Sequence, residues 1–243
     1  MGSAFLWGFV GGAALILGAA IAYLWDMPAK VLGGIMAFGS GVLISAVAFE
    51  LVDEANRTTS GDWAVAAGLA AGALVFFTGD KLIDKYGGAN RKSSEPQGDD
   101  SSGSAILLGT ILDGIPESIV IGFGLIGGGS VSTAMVAAVF LSNLPEAIGS
   151  TNGLKKSGWT AQKLFGMWIV VAIVSGVASM VGFVAFDTAS SEAVAFVLAF
   201  AGGALLTMLI DTMVPEAFKL NGPVTGLLTT LGFGIAYGIS ALG

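Results

Sequence analysis

Eight apolar stretches dominate this chain, near residues 4–25, 31–52, 63–83, 105–126, 131–151, 164–186, 193–213 and 222–241. Each matches the roughly 20 residues that carry a helix across the hydrocarbon core of a bilayer. Backbone in lipid must satisfy its own hydrogen bonds, which leaves helices as the spanning element for segments of this length. The expected fold is therefore an all-α integral membrane protein: eight transmembrane helices in a single transporter-like domain over 1–243. The first stretch has no basic region before it and is longer than a leader's apolar core, so it reads as a span. Between the third and fourth stretches, KYGGANRKSSEPQGDDSSGS (85–104) has the Gly, Ser and charge mixture of a flexible cytoplasmic loop.

Composition narrows the chemistry further. Only 11% of the residues are charged and 54% are apolar, against about 25% charged in an ordinary soluble domain, so membrane lipid is the main surrounding. The chain has neither cysteine nor histidine. That excludes disulfides, thiolate metal sites, thiol catalysis and any histidine relay. A net charge of −7 excludes nucleic acid as a partner, because phosphate backbones need a basic face.

Basic residues set the expected orientation. With the N-terminus outside, Lys30, Lys81, Lys85, Arg91, Lys92, Lys155, Lys156, Lys163 and Lys219 all fall on the cytoplasmic side, and Arg57 alone falls outside. The positive-inside rule then places both termini outside a cell (plasma or inner) membrane, as a multi-pass protein. Glycines four apart, Gly8/Gly12, Gly68/Gly72, Gly124/Gly128 and Gly222/Gly226, suit close helix packing.

The chain also repeats itself. FGSGVLISAVAFELVDEA (38–55) aligns without gaps on FAGGALLTMLIDTMVPEA (200–217), with identities that include Gly41/Gly203, Glu54/Glu216 and Ala55/Ala217. A weaker echo joins Gly68, Gly72 and Leu74 to Gly222, Gly226 and Leu228, and LDGIPE (112–117) repeats as LSNLPE (141–146). The repeated segments lie on helices of opposite direction. Three helices, a central pair and three inverted helices is the implied 3+2+3 plan, an arrangement found in secondary transporters with a site near the midplane.

The central pair holds the polar constellation. Asp113 and Glu117 share a helical face at i, i+4, as do Ser142 and Glu146, with Asn143 three residues before Glu146. Ionisable groups at this depth are expensive and mark functional sites by default. Pro116 and Pro145 each free the carbonyl four residues earlier, at Leu112 and Leu141. Three carboxylates, an amide, a hydroxyl and two loosened carbonyls form an all-oxygen donor set suited to a cation. A proton relay and plain structural hydrogen bonding are the alternatives. Glu50, Asp53 and Glu54 at one end, and Asp211 and Glu216 at the other, are pathway candidates that would concentrate cations at the mouths. For Asp53, Glu54 and Glu216, an ordinary solvated helix end is an equal reading.

With these residues in view, the chain resembles the ZIP (Zrt-, Irt-like protein) family of divalent-metal transporters over essentially its whole length. LDGIPESIVIG is similar to that family's His-Asn-x-Pro-Glu-Gly run, and LSNLPEAIGS to its second motif, often His-Glu-x-Pro-His-Glu. The resemblance implies that Asp113, Glu117, Ser142 and Glu146 form the primary metal site. It implies that Asn143 contributes to an adjacent second site. Every family histidine is absent, Gly114 has no ligating side chain, and helix 6 carries Ala178 and Ser179 where the family often has Glu-Pro. A single site with carboxylate-rich ligation is the expectation, which shifts preference from zinc toward harder ions such as Mn²⁺ or Mg²⁺. The family and the glycine-rich faces also imply a homodimer.

The function expected is thus a divalent metal cation transporter, not an enzyme. It would carry zinc or a similar ion (manganese, iron, cadmium) into the cytoplasm by alternating access, with the ion as substrate and no cofactor. The alternatives are a proton-coupled carrier of another solute and a non-transporting metal-sensing membrane protein. An intramembrane hydrolase built on paired carboxylates ranks behind both.

Overall fold

A computed structural model of the chain describes residues 1–59, 62–85, 100–126 and 132–242. Among the described residues the protein is all-helical: α1 (Gly2–Leu24), α2 (Ala29–Thr58), α3 (Asp62–Ile83), α4 (Asp100–Phe123), α5 (Thr133–Lys156), α6 (Ala161–Phe186), α7 (Ser191–Asn221) and α8 (Val224–Leu242). Seven of these are long and apolar enough to cross a membrane, so the chain is a multi-span, membrane-type helical protein. The exception is α5, whose Ser142, Asn143, Glu146, Ser150, Thr151 and Asn152 lower its hydropathy, and all six are buried. Its neighbours, rather than its own composition, shield α5 from lipid.

The expected loop over 85–104 lies mostly outside the described residues, but its last part is helical, because α4 starts at Asp100. Helices α2 and α7 outrun the ends expected at 52 and 213. Helical hydrogen bonding does not stop where apolar sequence does, and both continue through acidic, water-compatible turns to Thr58 and Asn221. Each also contains a stretch of wide π-helical turns, Val47–Val52 in α2 and Leu209–Met213 in α7. In α7 the cause is local: Pro215 lacks the N–H that the carbonyl of Asp211 would accept. In α2 the corresponding residue is Asp53, so proline is not the cause there. Side-chain oxygens of Ser132, Thr160 and Ser190 accept from Met135, Lys163 and Ala193 N–H groups and cap the starts of α5, α6 and α7.

Glycine sets how closely the helices pack. In α3, Gly72 lies against the carbonyl of Phe200 in α7, and in α8, Gly232 lies against the carbonyl of Phe38 in α2. Likewise Gly41 faces the Thr229 carbonyl and Gly203 the Leu69 carbonyl. Around α1, Gly8 and Gly12 meet the backbone of Ser175 and Ala172 in α6, and Gly18 meets the Leu144 carbonyl in α5. A Cβ at these positions would push the backbones apart, as expected of small residues in membrane helix packing. The expected close approach at Gly222/Gly226 is not seen. Gly222 instead takes φ +65° in the turn between α7 and α8, and a Cβ added at Gly226 would meet open space. Gly128 lies outside the described residues.

The main partners of each helix sort the bundle into two sets. Helices α1, α4, α5 and α6 pack among themselves, and α2 with α8 and α3 with α7 form the other set. The sets meet chiefly where α2 crosses α5 and where α7 crosses α4. One apolar core surrounds Met36, Leu43, Leu198 and Leu205, and a second surrounds Leu15, Ile106, Leu164 and Trp168. Trp168 donates from its indole nitrogen to the Thr151 hydroxyl at 2.9 Å, which satisfies both buried polar groups.

Candidate metal centre

Helices α4 and α5 each run unbroken through a proline, Pro116 and Pro145. Packing on other helices keeps both segments helical where an isolated peptide would kink. The carbonyl of Leu141, freed by Pro145, faces Gly39 of α2 at the point where the two helix sets meet. On α4, Thr110, Asp113 and Glu117 fall on one face and are 2%, 2% and 1% exposed. On α5, Ser142, Asn143 and Glu146 are 2%, 5% and 4% exposed.

The contacts cross between the two helices. Ser142 of α5 reaches the Oε1 of Glu117 on α4 at 3.4 Å, and Thr110 of α4 donates to the Oε1 of Glu146 on α5 at 3.1 Å. Each buried glutamate is thus met by a hydroxyl from the opposite helix. The Ser142 hydroxyl also lies 2.9 Å from the Val139 carbonyl of its own helix. With a single proton it serves one acceptor at a time, so its hold on Glu117 is the looser of the two.

Asn143 takes another direction. Its side-chain nitrogen donates to the carbonyl of Gly11 in α1 at 3.3 Å, which ties α5 to α1. Among the described residues, no three or more acidic side chains are disposed together around an ion. The expected gathering of Asp113, Glu117 and Glu146 is therefore not present as a preformed cluster. What is present is a buried pair of cross-braced glutamates with Asp113 one helical turn away on α4. Gly114, on the next position, faces the hydroxyl of Ser175 in α6, where a Cβ would stand at an ordinary 3.6 Å. Ser179, also on α6, is fully buried, and its hydroxyl has no hydrogen-bond partner among the described residues.

The pathway candidates part company. Glu50 sits half-buried in the π stretch of α2 and accepts from the Ser240 hydroxyl at 2.7 Å. Together with Glu54, Phe49, Phe123, Ser132 and Met135 it lines a cavity of about 380 Å³. The cavity reaches Val120 and Ile121, one helical turn from Glu117. Asp53 instead pairs with Arg57 at 2.7 Å on a solvated turn. Asp211 is exposed and Glu216 half-buried at the other end of the bundle. A second cavity of about 480 Å³ lies at that end, between Asp26, Met27, Asn152, Lys155 and Lys156.

Sequence reasoning missed Thr110, Ser240 and Ser175. For Thr110 the signal was available: it lies three residues before Asp113 and seven before Glu117, two spacings that keep a residue on one helical face. Ser240 and Ser175 belong to distant segments, and nothing in the sequence pairs them with Glu50 or Gly114.

No family model matches the chain. A curated Arabidopsis thaliana protein named "putative zinc transporter" is 26% identical over 214 residues, covering 87% of this chain and 34% of that protein. The chain spans about a third of the length of that relative.

Proposed function

We propose that this chain carries a divalent metal cation across a membrane, with the ion handled between α4 and α5. The observation that carries this reading is the cross-bracing of two deeply buried glutamates, Glu117 by Ser142 and Glu146 by Thr110. Burying two carboxylates in an apolar bundle is costly. A divalent cation that binds both would offset that cost. Asp113 adds a third oxygen ligand from the same face of α4, and Ser142 a fourth. The likeness to a protein named as a zinc transporter supports zinc or a similar ion, and the carboxylate-rich donor set keeps manganese, iron and cadmium among the candidates.

The route runs from the cavity at Glu50 and Glu54, past Val120 and Ile121, to the glutamate pair. From there it continues along the buried polar side chains Ser150, Thr151 and Asn152 of α5 to the cavity at Asp26 and Lys155. Charge distribution supports placing the lysine-rich end in the cytoplasm and both termini outside a cell membrane, so that the ion moves inward. The ZIP-like 3+2+3 inverted repeat is part of the proposal. Its support is that the π stretches of α2 and α7 begin at residues 47 and 209, the same offset as the sequence repeat, and that Gly72/Phe200 and Gly232/Phe38 form reciprocal contacts. Exchange of conformation between such repeats would present the site to each side in turn. A homodimer belongs to the same proposal.

Flux into proteoliposomes loaded with a metal-sensitive dye tests it, comparing Zn²⁺, Mn²⁺, Fe²⁺, Cd²⁺, Co²⁺ and Mg²⁺. The expected result is saturable flux for at least one ion, lost in Glu117→Ala. Folded protein that moves none of them would overturn the transport reading.

A further inference from the structure

Thr110 lies outside the donor set that the sequence points to, yet its hydroxyl donates to one glutamate of the pair. It donates to a single oxygen of Glu146, at 3.1 Å, and is itself 2% exposed, so water does not compete for it. The bond crosses from α4 to α5 and does not depend on the local turn of either helix.

A carboxylate can meet a cation through one oxygen or through both. Small ions with few ligands, such as tetrahedral Zn²⁺, take one oxygen at about 2.0–2.2 Å. Larger ions with six to eight ligands readily take both oxygens of one carboxylate. A hydrogen bond on one oxygen biases the group toward single-oxygen ligation and fixes the rotation of the carboxylate plane. We propose that Thr110 is a specificity-determining positioning residue: by holding Oε1 of Glu146, it limits that glutamate to one-oxygen ligation and so favours small divalent cations over larger ones. The inference rests on the metal reading above and deepens it.

Asymmetry between the two glutamates supports the assignment. Ser142 divides its one proton between Glu117 and the Val139 carbonyl, at 3.4 and 2.9 Å. The Ser142 hydroxyl is thus a shared donor to Glu117, whereas the Thr110 hydroxyl orients Glu146 from across the interface. A donor set without histidine has few other means of rejecting ions by size, because carboxylate oxygens accept hard cations of many radii.

The test compares Thr110→Val, which keeps the shape and removes the hydroxyl, Thr110→Ala, and Thr110→Ser, which restores a donor. Full-length protein in detergent is titrated with Zn²⁺ and with the larger Mn²⁺, and the metal-dependent rise in Tm gives an apparent affinity for each. The expected result is a shift of the Mn²⁺ to Zn²⁺ affinity ratio by about tenfold toward Mn²⁺ in Thr110→Val and Thr110→Ala, the scale of one hydrogen bond to a charged group. Thr110→Ser should return to the wild-type ratio. Equal weakening of both ions, or an unchanged ratio in either hydroxyl-free variant, would overturn the inference and leave the metal reading standing. A wild type that responds to neither ion would overturn both.

Discussion

Among the described residues, glycine packing brings two neighbouring backbones onto the α5 turn around Pro145 and one onto α4 beyond Pro116. On α5, Gly18 of α1 packs against the Leu144 carbonyl, Asn143 donates to Gly11 of α1, and Gly39 of α2 faces the Leu141 carbonyl. On α4, the glycine-to-backbone contacts among the described residues come from α6, Gly122 against the Ser179 carbonyl and Gly182 against the Ile119 carbonyl, while Gly79 of α3 and Gly11 of α1 meet the side chains of Leu112 and Ile121. Nearer the acids, Gly114 is at ordinary distance from Ser175. Two motifs with nearly the same residues thus differ in packing. The α5 glutamate lies on a turn met by two close backbones, and the α4 acids lie on a helix whose Gly114 has only an ordinary contact. Preorganised groups bind with less loss of freedom than mobile ones, so under the proposed function Glu146 would serve as the fixed arm of the site.

The largest test of that division removes each arm. Glu117→Gln and Glu146→Gln should each abolish metal-dependent stabilisation, which at a hundredfold excess over Kd is about 2.7 kcal/mol in the wild type. Thermal melts with and without Zn²⁺ would read it. Retention in either variant would mean that the two glutamates do not share an ion. Next in size is the packing contrast. Gly122→Ala should destabilise by about 1–3 kcal/mol, because its Cβ would overlap the Ser179 carbonyl. Gly114→Ala, whose Cβ would stand at an ordinary van der Waals distance from Ser175, should stay within about 0.5 kcal/mol. Denaturation in detergent compares the two, and equal losses would remove the packing contrast along α4. Smaller than the Gly122 effect is Asn143→Ala. The loss of one hydrogen bond should cost about 1 kcal/mol with the Zn²⁺ response intact. A lost response would return Asn143 from the α1 contact to the ion.

The sequence already shows much of this. Hydropathy marks seven of the eight helices, since lipid leaves a backbone few options, and the spacing of Asp113, Glu117, Ser142 and Glu146 puts each pair on one face. Depth alone suggests that the two pairs stand at similar levels. What spacing does not encode is direction around the helix axis relative to a neighbour, which the structure supplies. Asn143 turns to α1, Asp53 to Arg57, and Thr110 enters across the interface. The repeat of α2 in α7 was visible as six identities. The π stretches within these segments have only one signal in the sequence, Pro215 in α7, and the α2 stretch has no proline to mark it. Under the proposed repeat, the matching contacts of Gly72 with the Phe200 carbonyl and Gly232 with the Phe38 carbonyl would pair Gly72 with Gly232 in place of Gly226.

Glycine against carbonyl also has a consequence for mutational tolerance. At Gly41, Gly72, Gly122, Gly203 and Gly232, every other amino acid would bring a Cβ into a facing backbone oxygen. Larger side chains at these positions meet the same obstacle as alanine, because all of them share that first carbon. A deep mutational scan should therefore show a flat profile there: nineteen substitutions with nearly one penalty, indifferent to charge, size or hydropathy. The lipid-facing Leu227 and Leu231, 74% and 52% exposed, should instead give profiles graded by hydropathy.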